Sequence, residues 1–295
     1  MQGYVAPFGI PRVRELVGRA VLALIAAIFW GGIICFVFLE RQTVVVQGVV
    51  IQIFFDGFFL LLIAPSLSRC WRPALLFGLA PERSSFRQYA FVVIPLLIVA
   101  IATTYLFYFP LSYVWPRFVE WKLLDQPRLI TGTDNPLGNL LCFSYIVLIG
   151  PVFEEFLFRG LLLTRWALKW NARTAIFASS ALFALGHDDI VGTFFVGYVL
   201  WVLYIKTKSL FVPMAVHIAN NGICWILGCV DVLITGSDGQ PTLAEWQSYW
   251  WMGLAATLIV APWVVIFIKN HMPLQTWQIP HLALQGTGQE AEIRA

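Results

Sequence analysis

The sequence has few charged residues. Only 12% of its 295 residues are charged, whereas 59% are hydrophobic and the mean hydropathy is +0.78. A soluble domain averages about 25% charged and 45–50% apolar residues. The composition therefore excludes an ordinary soluble domain and predicts a polytopic membrane protein. The net charge of +3 is also too small to indicate nucleic acid as a partner.

Several motifs of known chemistry are missing. The five cysteines include no CxxC pair, and four of them lie within apolar runs, so buried reduced thiols are the simplest interpretation. The sequence has no Gly-rich phosphate loop, no HExxH zinc helix and no GxSxG serine motif. It also has no internal repeat of the kind that many transporters carry. The polar residues inside the apolar runs are therefore the best place to look for chemistry.

Apolar runs long enough to cross a bilayer, roughly 17–25 residues each, predict an all-α fold of about eight transmembrane helices. The runs lie near Ala20–Leu39, Gln47–Pro65, Tyr89–Tyr108, Leu137–Leu163, Thr174–Gly186, Ile190–Tyr204, Leu210–Cys229 and Tyr249–Ile268. No small-residue cleavage site follows the first run, so we interpret it as a retained helix. We expect one membrane domain over residues 1–295, with a polar, disordered tail at 281–295.

The distribution of lysine and arginine predicts the orientation of these helices. One side carries 14 of the 19 basic residues, namely Arg12, Arg14, Arg19, Arg69, Arg72, Arg83, Arg87, Arg165, Lys169, Arg173, Lys206, Lys208, Lys269 and Arg294. The other side carries Arg41, Arg117, Lys122 and Arg128. Because loops rich in Lys and Arg stay in the cytoplasm, we expect both termini there.

Three ionisable residues lie within the fourth apolar run, in the stretch PVFEEFLFRG at positions 151–160. Each could cost about 2.5–3.5 kcal/mol at the bilayer centre on insertion scales. Glu155 and Arg159 are four residues apart and can pair on one helix face. Glu154 is rotated from Glu155 by about 100° and has no local partner. It can act as a general base, although a structural polar cluster of all three residues is an alternative.

Other apolar runs carry further polar residues. His217 and Asn221, in AVHIANN, are four residues apart and can stabilise an oxyanion together. Cys224 lies on roughly the same face, so a thiol nucleophile is an alternative. His187 ends the fifth run, where a solvated loop histidine is equally compatible with the pattern. Asp56 has no companion within its own helix, and we assign it a role in packing or access.

Three motifs stand in order along the chain: EExxxR at 154–159, FxxxH at 183–187 and HxxxN at 217–221. Together they resemble the motif set of the CPBP family, the CAAX proteases and bacteriocin-processing enzymes. The resemblance covers residues 137–229 and implies a glutamate-dependent intramembrane endopeptidase. In that family's pattern, Glu154 and His187 would activate a water, His217 and Asn221 would stabilise the oxyanion, Glu155 and Arg159 would support the site, and Phe183 would pack behind His187.

The resemblance also implies partners and a location. The substrate would be a membrane-associated peptide or protein, of which a prenylated CAAX tail is one form, and neither a cofactor nor a metal would be needed. The site would open towards the cytoplasm, and the lack of targeting signals favours a bacterial inner membrane, with the endoplasmic reticulum as the alternative. The alternatives are a membrane metalloprotease with Glu154, Glu155, His187 and His217 as ligands, a transporter, and a non-catalytic immunity-type protein.

Overall fold

The computed structural model describes residues 12–40, 42–67, 77–78, 81, 89–125, 130, 135–236 and 241–271. Within these ranges the protein is helical without strands, and one isolated bridge joins Gly78 to Ser209. The helices are α1 (Val13–Phe38), α2 (Val44–Leu67), α3 (Val93–Val114), α4 (Pro116–Val119), α5 (Pro136–Lys169), α6 (Ala172–Leu185), α7 (Ile190–Thr207), α8 (Phe211–Thr235), α9 (Leu243–Ser248) and α10 (Trp250–His271). The tail predicted at 281–295 lies outside the described residues.

Seven helices in the described part of the chain are long and apolar enough to cross a membrane: α1, α2, α3, α5, α7, α8 and α10. This confirms the prediction of an all-α polytopic membrane protein. The run predicted near Thr174–Gly186 forms α6, which has only 14 residues. At 1.5 Å per residue, α6 is about 21 Å long, shorter than a hydrocarbon core of about 30 Å. The fifth of the eight predicted spans is therefore shorter than a full crossing.

Helix α3 runs past its predicted end. It continues through Pro110 to Val114 and stops at Trp115, which precedes Pro116. A proline inside a membrane helix is tolerated because neighbouring groups satisfy the freed backbone carbonyl. The residue before a proline, by contrast, is biased away from helical geometry. Helix α3 therefore accommodates Pro110 but ends at Trp115, the residue before Pro116.

Helix α5 carries the stretch PVFEEFLFRG. It begins at Asn135, whose side chain accepts a hydrogen bond from the backbone N–H of Gly138 at 3.0 Å. Two π-helical turns, Ser144–Ile149 and Phe156–Leu162, interrupt the helix. The α-helical stretch Gly150–Glu155 lies between them and carries both carboxylates. Turns of this kind are rare and frequently occur at functional sites.

Helix α7 is the centre of the bundle. Residues 198–204 are buried at seven consecutive positions. A helix that is apolar and buried on every side belongs in the interior of a large fold. It packs against α3, α6 and α8, whereas α1 and α10 leave large apolar side chains such as Phe36 and Leu258 exposed. The polar residues of α5, α6 and α8 are thus assembled beside a rigid inner helix.

Candidate active site

Glu155 is the centre of a buried hydrogen-bond network. Its Oε1 accepts hydrogen bonds from Nη1 of Arg159 at 2.8 Å and from Nδ1 of His217 at 3.0 Å. The side chain is fully buried, and its Oε2 has no hydrogen-bond partner among the described residues. The ion pair predicted from the four-residue spacing is therefore present. The additional bond to His217 joins α5 to α8.

Arg159 connects three helices. Its Nη2 donates to the carbonyl of Gly197 on α7 at 3.2 Å, and its guanidinium lies 4.4 Å from the ring centroid of Phe183 on α6. A buried arginine needs a paired charge and partners for its N–H groups, and both are present here. Gly197 permits the close approach of α6 and α7, because a Cβ at this position would lie 3.2 Å from Cδ1 of Phe183. The arginine thus holds α5, α6 and α7 together.

Glu154 approaches the same imidazole from the other ring nitrogen. Its Oε2 lies 3.8 Å from Nε2 of His217, and its side chain is 31% exposed. His217 therefore lies between two carboxylates, one buried and paired with Arg159, the other partly open. Within the described ranges Glu154 makes no hydrogen bond. A partly exposed carboxylate with a free oxygen can bind and deprotonate a water molecule.

His187 lies in the turn between α6 and α7. Its Nδ1 is 2.8 Å from the carbonyl oxygen of Phe183, and the two rings are 4.6 Å apart. Because a carbonyl can only accept, Nδ1 carries the proton, and Nε2 of the neutral ring is left to accept one. Phe183 packs against His187, as the resemblance implies. No hydrogen bond or ion pair joins His187 to Glu154 among the residues that the structure describes.

Residues outside the predicted site hold the His187 turn in place. Oη of Tyr108 donates to the carbonyl of Asp188 at 2.8 Å. Nζ of Lys122 lies 3.1 Å from Oδ1 of Asp188 and 3.4 Å from the carbonyl oxygen of His187. Neither Tyr108 nor Lys122 is predictable from the sequence, because neither belongs to a motif and both are distant from the turn in sequence.

Asp189 begins helix α7. Its Oδ1 accepts a hydrogen bond from the backbone N–H of Gly192 at 3.0 Å, and its Oδ2 accepts one from Oγ1 of Thr103 at 3.0 Å. Burial raises the pKa of the Asp189 carboxyl above its ordinary value, although these hydrogen bonds act in the opposite direction. Asp189 thus fixes the end of the turn that carries His187.

Asn221 connects α8 to the first π-helical turn of α5. Its Nδ2 donates to the carbonyl of Ile146 at 3.0 Å, and its Oδ1 lies 3.4 Å from Nδ2 of Asn220. An amide nitrogen has two N–H donors, so one donor remains besides the bond to Ile146. Asn221 is therefore held in place and still able to donate to a ligand.

Asp56 is not alone in its helix, so that part of the sequence interpretation is wrong. Gln52, four residues earlier on α2, donates from Nε2 to its Oδ1 at 3.2 Å. Oη of Tyr145, in the first π-helical turn, donates to its Oδ2 at 2.7 Å. The Gln52 spacing is visible in the sequence, but the contact with Tyr145 requires the fold. These bonds join α2 to α5 beside Glu154, whose charge interacts with both Asp56 and Tyr145.

A cavity of about 830 Å³ lies between α2 and α5. Its lining is apolar apart from Asp56 and includes Val152 and Phe153, which immediately precede Glu154. Ligand pockets commonly measure about 300–1,000 Å³. The cavity is therefore large enough for an apolar group of a substrate.

The residues considered as zinc ligands do not form a metal site of the usual kind. No three His, Cys, Asp or Glu side chains lie close enough to hold a metal ion within the described ranges. Cys224, the alternative nucleophile, is exposed on α8. The polar groups that do converge are Glu154, Glu155, Arg159 and His217.

Comparisons with known proteins match the same part of the chain. Residues 136–223 match the family described as type II CAAX prenyl endopeptidase, Rce1-like. The chain is also similar to the membrane-embedded CAAX protease MroQ of Staphylococcus aureus (strain USA300), with 34% identity over 87 residues. That match covers 26% of this chain and 35% of the relative, so about a third of the relative's length is spanned. No solved structure gives a significant match. The matched segment 136–223 contains all three motifs, so this part of the chain is similar to the CAAX proteases.

Proposed function

We propose that this protein is an intramembrane endopeptidase that hydrolyses a peptide bond of a membrane-associated substrate. The observation that carries the proposal is the position of His217 between Glu155, at 3.0 Å, and Glu154, at 3.8 Å. All three residues lie within the segment that matches the CAAX prenyl endopeptidases. A partly exposed carboxylate beside an imidazole that a second, buried carboxylate holds in place is the kind of arrangement that peptide hydrolysis by an activated water requires.

In this proposal Glu154 and His187 activate the attacking water. Glu154 has a partly exposed side chain without a hydrogen bond in the described structure, so it can accept a proton from water. Nε2 of His187 is left without a proton in the neutral ring, because Nδ1 is bonded to Phe183. The two groups are not in contact, and the water and the scissile carbonyl would lie between them. General bases of this kind contribute roughly 10²–10⁴-fold to a rate.

His217 and Asn221 stabilise the oxyanion in the same proposal. Nδ1 of His217 donates to Glu155, so donation from Nε2 requires the doubly protonated ring. That charge is balanced locally. The negative charges of Glu154 and Glu155 equal the positive charges of Arg159 and a protonated His217. The second N–H of Asn221 supplies another donor. Donors fixed in a site of low dielectric can stabilise the transition state strongly.

The cavity between α2 and α5 is the proposed site for the apolar part of the substrate. Phe153, which lines the cavity, is the residue before Glu154, so an apolar anchor held there would bring the adjoining peptide towards the carboxylate. A prenylated CAAX tail has an apolar group next to the scissile bond. The predicted orientation, with 14 of 19 basic residues on one side, puts such a substrate at the cytoplasmic face of a bacterial inner membrane.

The test compares membrane proteomes of cells that carry the wild type and Glu154→Gln, with peptide termini labelled. We expect at least one membrane-associated peptide to carry a terminus created by cleavage in the wild-type cells, and that terminus to be missing from the Glu154→Gln cells. Glu40→Gln, which changes an exposed carboxylate after α1, is the matched control and should preserve that terminus. Identical termini in all three strains would contradict the proposal. Loss of cleavage by purified wild-type enzyme on adding a chelator would instead support a metalloprotease.

A further inference from the structure

A basic pocket lies between the beginning of α1 and the end of α5. It has a volume of about 450 Å³, and its lining residues are Arg12, Val13, Arg14, Arg165, Leu168 and Lys169. Four of these six residues carry a positive charge, and none is acidic. Two segments about 150 positions apart in the sequence therefore bring their cations to one concave surface.

Glu15 is a carboxylate beside the pocket, and its single charge does not balance the three exposed cations Arg12, Arg14 and Lys169. Glu15 lies one residue beyond Arg14, and its Oε2 accepts from the backbone N–H of Arg12 at 3.2 Å. Arg165 has a further interaction of its own, and without it Arg12, Arg14, Lys169 and Glu15 still sum to a net charge of +2. Like charges held close together repel, and an anion placed between them relieves that repulsion. The pocket is thus suited to a ligand with one or two negative charges.

The surroundings of the pocket indicate the level of lipid headgroups. The rings of Trp166 and Trp170 lie 5.6 Å apart on the last turns of α5, and Trp170 is exposed. Nζ of Lys169 lies 5.2 Å from the Trp170 ring. Tryptophan and lysine beside the end of a membrane helix are typical of the membrane–water interface. Val13 and Leu168 add apolar surface that a soluble anion would not use.

We propose that this pocket binds the phosphate group of an anionic phospholipid. Arginine presents several N–H donors in a fork that matches phosphate oxygens, and the pocket contains three arginines. Basic pockets between membrane helices on the cytoplasmic side bind anionic headgroups in the same way. The lipid would tie the start of α1 to the end of α5, which carries the two carboxylates. This inference goes beyond the proposed function and does not depend on it.

The test measures lipid binding to the purified full-length protein by native mass spectrometry. The probes are phosphatidylglycerol, phosphatidylcholine and inorganic phosphate. We expect one phosphatidylglycerol to remain bound, phosphatidylcholine to bind weakly, and inorganic phosphate to compete only at much higher concentration. The variant Arg14→Gln with Lys169→Gln should bind phosphatidylglycerol about tenfold or more weakly, because each basic residue near the surface contributes to anionic-lipid binding.

The matched control is Arg173→Gln with Lys269→Gln, which removes two exposed cations of the same predicted side from outside the pocket. It should bind phosphatidylglycerol like the wild type. The proposed site would be overturned if both double variants lost phosphatidylglycerol binding equally. It would also be overturned if the wild type bound phosphatidylglycerol and phosphatidylcholine equally. Competition by inorganic phosphate at the concentration of the lipid would overturn the lipid as its occupant. A salt titration of the wild type tests the site even if a variant folds poorly. Phosphatidylglycerol binding that weakens as the salt concentration rises supports the site, and binding that does not depend on salt counts against it.

Discussion

Nδ1 of His217 lies 3.0 Å from Oε1 of Glu155, although the two residues are 62 positions apart and belong to different helices. The same oxygen accepts from Arg159 at 2.8 Å. Glu155 therefore orients the imidazole and balances the buried arginine at once. Glu154, its neighbour in sequence, makes no hydrogen bond to either residue in the described structure. The two glutamates of the motif should consequently respond differently to the same substitution.

Glu155→Gln should destabilise the fold much more than Glu154→Gln. Removing the Glu155 charge leaves Arg159 buried without a counter-ion, a change that typically costs about 3–5 kcal/mol. Glu154 is partly exposed and makes no buried ion pair of that kind, so its replacement should change stability by about 1 kcal/mol or less. Thermal unfolding of the two variants in detergent micelles measures the difference. Equal unfolding temperatures would show that the buried pair is not structural.

Asn221→Ala should lower turnover by about 10²–10³-fold while the substrate still binds, as removal of an oxyanion donor does elsewhere. Cys224→Ala is a control on the same helix and should retain full activity, because an exposed thiol has no role in the proposed reaction. The measurement is kcat and KM on a substrate identified by its shifted terminus. A large loss with Cys224→Ala would instead favour a thiol mechanism.

Lys122→Met should reduce turnover through the position of His187, with little effect on folding. The Lys122–Asp188 pair is largely open on the aspartate side, where the side chain is 63% exposed, so its contribution to stability is about 0–1 kcal/mol. Asp188→Asn should reproduce the effect, and the double variant should be no worse than either single one. Additive losses in this cycle would mean that the two residues act independently of each other.

Gly197→Ala should disturb the packing of α6 against α7. The new Cβ would meet Cδ1 of Phe183 at 3.2 Å and Cβ of Ser180 at 3.3 Å, which is closer than ordinary contact. Overpacking of this kind costs about 1–3 kcal/mol. Gly48→Ala on α2 is the matched control, since its Cβ would have no neighbour within 4 Å. If both variants unfold at the wild-type temperature, the close approach at Gly197 is not required.

The raised pKa of Asp189 predicts a pH effect on stability. The folded state holds the proton of the Asp189 carboxyl more tightly than the unfolded state does. The contribution of Asp189 to the free energy of unfolding therefore falls as the pH rises from the ordinary aspartate pKa to the raised pKa. Asp189→Asn should remove that fall and keep an acceptor for the N–H of Gly192. Asp189→Ala should lose the cap, at about 1 kcal/mol. Unfolding midpoints measured across this pH range test both statements.

The features that the sequence predicts best are those that the bilayer and the helix impose locally. A membrane helix requires a long apolar run, so the runs identify the helices. The i,i+4 spacing predicts the Glu155–Arg159 pair for the same reason. The three motifs also predict the similarity to CAAX proteases, which the match over residues 136–223 confirms for that segment.

The features that the sequence does not predict depend on contacts between distant segments. The bond between Tyr145 and Asp56 joins residues 89 positions apart, and the pair of Lys122 and Asp188 joins residues 66 apart. Neither pair leaves a periodic pattern. The two π-helical turns of α5 also have no spacing signal that sequence analysis could use. The catalytic roles of Glu154, His187, His217 and Asn221 remain predictions.

The two π-helical turns have a consequence for how the length of α5 can vary. A π-helical turn corresponds to one residue inserted into an α-helix, and each α-helical residue rotates the chain by about 100°. Deleting one residue from Ser144–Ile149 would restore regular α-helical winding and change the direction of the side chains inside this turn, whereas the segments on either side would keep about the same faces, because the wider turn already absorbs the extra residue. The contacts of Tyr145 with α2 and of Ile146 with α8 could then not both survive. The part of α5 that precedes the two glutamates therefore tolerates changes of side chain more readily than changes in the number of residues.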